Sequence, residues 1–371
     1  MVRSRPLSVG LFVVLALTWP GSLLANGGGV MAAPPPSLLK IAPDSVETVL
    51  RGAAVSQVTV DSRGTVWAAT KERGLARKDA RAADWVYLTK VKGELPEDSL
   101  SQVILFKDKV WIGFATAGVA RLDPGALTRF TNAAGGLPGD EVINLAVFQD
   151  TLWVLTDGGP AKLVNDTFEA VAVTSSPAPA GQPSCLYAPG DGKIYIGTDA
   201  AEVLSFDGKA WERFDFKGRV TGRIVRCAAS AAGWLWFGTF GSLNVQQLVP
   251  GGKLHDETNE KAVLFPVRVI TGLERTPDTL LIGSSGGGLY RLTVADRDWR
   301  LYCLKNGLVS NAVNNTTVVG KYAYVATAEG VSRIDLSLPL PPAPKPRPSP
   351  SPGAAGPTSG TSPAAQAPAK P

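Results

Sequence analysis

The sequence predicts an all-β fold: a seven-bladed β-propeller of four-stranded antiparallel blades, its ring closed by an N-terminal strand. Three observations predict it. First, a five-residue motif of aliphatic, aromatic, aliphatic, small and Thr recurs seven times, with a mismatch or two in some copies. Second, its anchor positions, residues 67, 111, 153, 195, 236, 281 and 324, are spaced by 44, 42, 42, 41, 45 and 43. That period lies in the range of four-stranded propeller blades. Third, short runs rich in Val, Ile, Trp and Tyr are broken by Gly and Asp, and no convincing amphipathic helix appears.

The elements follow in chain order. Residues 1–25 have a basic start (Arg3, Arg5), an apolar run and the helix breakers Pro20 and Gly21 before Ala25. This reads as a signal peptide cleaved after Ala25, with a second candidate site at Ala32 and an uncleaved anchor as the alternative. Residues 26–36 read as a linker and residues 37–337 as the propeller. Blade 1 shows four candidate strands, Val55–Val60, Thr65–Thr70, Gly74–Lys78 and Trp85–Thr89, with the turn tetrad Asp61-Ser62-Arg63-Gly64 between the first two. The motif recurs as Val66–Thr70, Val110–Phe114, Leu152–Thr156, Ile194–Thr198, Leu235–Thr239, Leu280–Ser284 and Ala323–Thr327. Its aromatic is expected to fill the gap between adjacent blades, and its small residue to let the sheets approach closely. The seventh repeat holds only Val313–Val319, Tyr322–Thr327 and Val331–Leu336, so Ser37–Ala42 is expected to supply its fourth strand and close the ring. An open or eight-bladed form is the alternative. Residues 338–371 hold 12 of the 29 prolines and no aromatic residue, the composition of a disordered, polyproline-like tail.

Charge and rare residues narrow the function. The chain of 371 residues carries 37 Lys+Arg against 32 Asp+Glu. All the acids lie between Asp44 and Asp335, and residues 6–337 are formally neutral, so the excess of +5 belongs to the ends. A neutral body argues against a nucleic-acid partner. There is one His, His255, expected in a solvent-exposed loop of blade 5, so no His-rich metal site can form and a catalytic triad would rest on that residue alone. Cys185, Cys227 and Cys303 form no Cys-x-x-Cys; buried free thiols are expected, with a Cys185–Cys227 bond geometrically conceivable. No cofactor is indicated, and after signal cleavage no membrane span is expected.

Two further motifs accompany the repeat. A Gly-hydrophobic-x-Arg strand follows the small-Thr pair at Gly74–Arg77, Gly118–Arg121, Gly288–Arg291 and Gly330–Arg333. A Gly-Leu-Pro-like turn precedes the next blade at Gly136–Asp140 and Gly307–Asn311, with a variant at Glu94–Asp98. Together these resemble the two-component regulator propeller repeat family over roughly residues 40–337, well in blades 1, 2, 6 and 7 and loosely in blades 3, 4 and 5. The resemblance implies an extracytoplasmic sensory propeller. Without a kinase or regulator segment, the expected form is an exported stand-alone one.

A candidate site lies on the inner strands. Nine or ten residues before each anchor stand Gln57, Gln102, Asn144, Cys185, Arg226, Thr271 and Asn315. By strand alternation these side chains face the central channel. The candidate ligand-binding residues are Gln57, Gln102, Asn144, Arg226, Thr271 and Asn315. A ring of amides around one Arg suits a polar or anionic small ligand such as a glycan. A water-filled channel with satisfied polar walls is the alternative. The expected function is a non-enzymatic ligand-binding or sensor propeller, periplasmic or extracellular in a bacterial envelope. The alternatives are a scaffold docking an envelope protein on a propeller face, and a propeller lyase or glycosidase.

Overall fold

The computed structural model describes residues 45–338 except 175–178, 215–222, 232, 242, 248–253, 257–268 and 294–297. The expected signal peptide and linker, the segment Ser37–Ala42 and nearly all of the Pro-rich tail lie outside the described residues. The described strands form four-stranded antiparallel sheets, the blades of a β-propeller. Six blades are each built from four consecutive strands: Val55–Leu88, Leu100–Phe130, Val142–Ala170, Pro183–Arg213, Arg223–Asp256 and Ile270–Tyr302. A further sheet is composite. Val313–Val319, Tyr322–Thr327 and Gly330–Asp335 pair in sequence, and Val46–Arg51 from the other end of the described chain adds the outer strand. The first strand of each blade touches that of the next, and Val313–Val319 touches the first strands of both blade 6 and blade 1.

The closing strand is thus Val46–Arg51 rather than Ser37–Ala42. Its register places Val46 opposite Ile334 and Arg51 opposite Gly330. Outer strands are only half covered, so a sequence as polar as Val-Glu-Thr-Val-Leu-Arg suffices, with Leu50 alone fully buried. The more apolar segment upstream was the wrong guide because this position does not demand an apolar run. His255 also departs from expectation. It stands on the outer strand of blade 5, opposite Val245, rather than in a loop.

The repeat motif is the second strand of every blade, and all seven anchors are buried. Each aromatic packs between blades. Trp111 of blade 2 stacks on Phe130 at 5.5 Å and meets the edge of Phe168 in blade 3 at 6.0 Å. A buried aromatic of this size contributes on the order of 2–3 kcal/mol. The small residue two places on makes room for the next blade. A Cβ on Gly113 would stand 2.7 Å from Val142 Cγ1, and one on Gly283 would stand 2.8 Å from Val313 Cγ1. Those Val residues open the first strands of the following blades, so a β-branched side chain fills the gap that glycine leaves.

The Thr closing the motif ties the hairpin to the third strand. Thr70 Oγ1 donates to Gly74 O at 2.7 Å, Thr156 Oγ1 to Gly159 O at 2.9 Å and Thr327 Oγ1 to Gly330 O at 2.9 Å. Ser284 does the same toward Gly288. The Arg of Gly-hydrophobic-x-Arg is the cross-strand partner of the anchor. Arg77 lies 5.4 Å from the Trp67 ring and Arg121 lies 5.6 Å from the Trp111 ring. Each therefore covers an aromatic face with a cation. Arg121 also reaches Asp166 of blade 3 at 2.7 Å.

The Gly-Leu-Pro-like turn ends on an Asp or Asn that latches successive blades. Asp140 O accepts from Gly118 N at 2.9 Å while its Oδ1 accepts from Asn132 N at 2.7 Å. Asp98 and Asn311 make the equivalent pairs of bonds. The latch requires close backbone approach at Gly118, whose φ is +76°. A Cβ there would stand 2.3 Å from Phe130 O.

Candidate functional site

All seven first strands contribute to a central chamber of about 290 Å³. Its geometry is set by a bulge common to every blade. The pairing of first and second strands skips one residue near the start of the first strand, between Val55 and Gln57, Leu100 and Gln102, Val142 and Asn144, and likewise round the ring. A bulge re-aims the side chains on either side of it. Past the bulge, the residue opposite anchor-plus-two is Gln57, Gln102, Asn144, Cys185, Cys227, Gly272 and Asn315 in turn.

Four expected site residues, Gln57, Gln102, Asn144 and Asn315, line the chamber. Arg226 and Thr271 do not. They occupy the skipped position one residue earlier, because hairpins of unequal length make a count back from the anchor slip by one. Thr271 Oγ1 donates to Val313 O of the next blade at 2.6 Å. Arg226 is exposed, and its charge acts on Cys185, Tyr187 and Cys227 without the residue lining the chamber.

The polar groups divide between structure and chamber. Skipped-position side chains clasp neighbouring blades: Ser56 Oγ donates to Leu100 O at 2.8 Å, Ser184 Oγ to Val225 O at 2.6 Å and Asn314 Nδ2 to Val55 O at 2.7 Å. Where blades 2 and 3 meet, the clasp passes to Gln102, whose Oε1 accepts from Leu145 N. Asn144 Oδ1 accepts from Leu186 N at 3.1 Å, joining blades 3 and 4. Both amide oxygens therefore serve the ring, as satisfied polar walls would. Gln57 differs. Its Oε1 is buried and has no hydrogen-bond partner, although a buried acceptor left unpaired costs about 1–3 kcal/mol.

Two residues further along, alternation brings more groups into the lining: Ile104, Ala146, Tyr187, Ala229, Glu274 and Thr317. Glu274 is the only carboxylate among the lining residues. Burial in the narrow channel pushes its carboxyl up to about 7, partly offset by the backbone and charge of Arg275. Burial also drives the Tyr187 hydroxyl well above its ordinary value, against a hydrogen bond to Asn144. Cys185 and Cys227 are buried free thiols, and burial pushes Cys185 up to about 12 and Cys227 higher still. Neither supplies a thiolate near neutral pH. Arg275 lies at the rim, where its Nη2 would stand 2.4 Å from a Cβ on Gly190 of blade 4. Tyr187, Glu274 and Thr317 were legible only as the residues two beyond the ring, once the ring itself was set correctly.

Among the described residues no cluster of three His, Cys, Asp or Glu side chains could hold a metal ion. No described helix is long and apolar enough to cross a membrane.

No family model matches the sequence, and no curated protein matches it. Solved structures do. The extracellular domain of BT3049 from B. thetaiotaomicron, assigned to a hybrid two component system, matches with a TM-score of 0.64 at 19% identity, over 79% of this chain and 42% of that one. The extracellular domain of BT4673 from the same organism, assigned to a one component system, matches at 0.63 and 17%, over 78% and 40%. PorZ, a surface component of the type-IX secretion system of Porphyromonas gingivalis, matches at 0.57 and 16%, over 76% and 46%. The chain thus spans less than half the length of each. At these identities the likeness establishes the propeller fold, the one that the repeat motifs carry in the sequence.

Proposed function

We propose that this chain is an exported, non-enzymatic ligand-binding or sensor propeller of the cell envelope, and that its ligand enters the central chamber. The observation carrying this reading is the chamber itself. Every blade contributes to it, its wall mixes hydrogen-bonding and aliphatic groups, and one acceptor, Gln57 Oε1, lacks a protein partner. Small-molecule sites are typically concave and partly apolar with a few placed polar groups. The likeness to extracellular domains of B. thetaiotaomicron proteins supports the exported location. So does the reading of residues 1–25 as a signal peptide, residues 26–36 as a linker and residues 338–371 as a solvated tail. A glycosidase mechanism needs paired carboxylates, and the chamber lining offers Glu274 alone.

A thermal-shift screen of polar small molecules and short oligosaccharides tests the reading. A ligand at about 100 times its Kd stabilises by about 2.7 kcal/mol. A binder whose effect is lost in Gln57→Ala is expected. The second reading is a protein-docking scaffold, suggested by the likeness to the PorZ surface component. It replaces the first if the screen is silent while an envelope protein co-purifies stoichiometrically.

A further inference from the structure

The groups lining the chamber also bear on the charge of its ligand. This inference rests on the ligand-binding reading above. Arg226 is not among the lining residues, and Glu274 is the one acid that is. The groups lining it from the neighbouring first strands are uncharged: Ala228 and Ala229 of blade 5, Asn315 and Thr317 of the composite blade, and Tyr187 across the channel. Tyr187 keeps its proton at any physiological pH because burial raises it. Arg275 is exposed and lays its guanidinium over Gly190 at the rim, where solvent screens it. Arg275 lines the chamber as well, and from that exposed position its charge acts on Glu274. The buried Oε1 of Gln57 adds a second acceptor, and this one has no hydrogen-bond partner.

Acceptors inside, with the one lining cation, Arg275, exposed at the rim, suit a ligand that brings hydrogen-bond donors and a positive charge. The volume of about 290 Å³ equals roughly ten waters, room for a six-carbon polyol. We propose that the chamber takes a small polyhydroxylated ammonium compound, with Glu274 as its counter-ion and Gln57 as a hydrogen-bond acceptor. An anion of the same size is disfavoured, since it would meet the Glu274 carboxylate in a poorly hydrated space.

Three probes of one shape separate the charge classes: 1-amino-1-deoxysorbitol (cation), sorbitol (neutral) and gluconate (anion). Calorimetry on the full chain at pH 6 and pH 8 gives their affinities. A carboxyl with a pKa of about 7 goes from about one-tenth to about nine-tenths ionised across that window. The amino-polyol is therefore expected to bind about tenfold tighter at pH 8 than at pH 6 and tighter than both others. Sorbitol should bind without pH dependence. In Glu274→Gln the amino-polyol should fall to the level of sorbitol and lose its pH dependence, with the thermal midpoint confirming a folded chain. Gluconate binding as tightly as the amino-polyol, or an amino-polyol affinity indifferent to pH, overturns the charge assignment and leaves the ligand-binding reading standing. If none of the three binds, the assignment also falls, while the broader reading fails only if the library screen is silent too.

Discussion

Replacing Gly118 by Ala isolates the cost of the latch between blades 2 and 3, because the protein supplies its own control. Gly118 has φ +76° and Gly125 has φ +75°, so both substitutions force Ala into the left-handed region, at about 1 kcal/mol. The surroundings differ. Nothing lies within 4 Å of a Cβ built on Gly125, whereas one on Gly118 would stand 2.3 Å from Phe130 O and 3.3 Å from Asp140 Oδ1. Relief of that contact moves the third strand away from the fourth and stretches the 2.9 Å bond from Gly118 N to Asp140 O. A lost backbone bond with a poorly hydrated partner adds about 1–3 kcal/mol. Gly125→Ala is therefore expected to cost about 1 kcal/mol and Gly118→Ala about 3 kcal/mol. Urea unfolding monitored by tryptophan fluorescence reads both, with unchanged m-values licensing the comparison. Equal losses would refute the reasoning, since they would mean that the close approach contributes nothing beyond backbone conformation.

Four further outcomes follow from the geometry. Trp67→Phe should destabilise more than Trp111→Phe, by about 1–3 kcal/mol, because Trp67 Nε1 donates to Asp61 at 3.2 Å while Trp111 Nε1 is buried without a partner; urea midpoints decide it. Thr70→Val keeps the shape but removes the bonds to Gly74 O and from Arg73 N, a loss of about 1–3 kcal/mol that the same unfolding curves would show. Asp123 is held down to about 2 by its bonds to Arg121 and Lys109. A depressed carboxyl contributes stability that is present above its ordinary value of 3.8 and lost as pH falls toward 2. The penalty of Asp123→Asn should accordingly shrink between pH 5 and pH 3. Glu274 has the opposite sign: with its carboxyl raised from 4.5 to about 7, the folded chain binds the extra proton in that window. Stability should then decline as pH rises from 4.5 to 7, and Glu274→Gln should flatten the decline.

Most of the fold was legible because its determinants are local and repeated. An aromatic before a small residue and Thr announces a buried second strand in every blade, and Gly-hydrophobic-x-Arg announces the third. Two things were not legible. The closing strand lies at the edge of a sheet, where Glu47 and Arg51 are tolerated, so no apolar pattern marks Val46–Arg51. The chamber ring depends on a bulge that only strand pairing shows. Counting from the anchors reached Gln57, Gln102, Asn144 and Asn315, which line the chamber, but put Arg226 and Thr271 where Cys227 and Gly272 stand. That slip of one residue brought the guanidinium of Arg226 into the expected site and left out the carboxylate of Glu274, which lines the chamber.

The central claim is that a ligand occupies the chamber, and methyl NMR of the full chain tests it most directly. Ile104, Val147 and Leu273 report from the lining, while Leu163 reports from the separate groove between blades 2 and 3. With any binder from the screen, the Ile104, Val147 and Leu273 methyls should shift saturably and Leu163 should not. Shifts confined to Leu163 and other outer positions, with the lining methyls unmoved at saturation, would contradict the account.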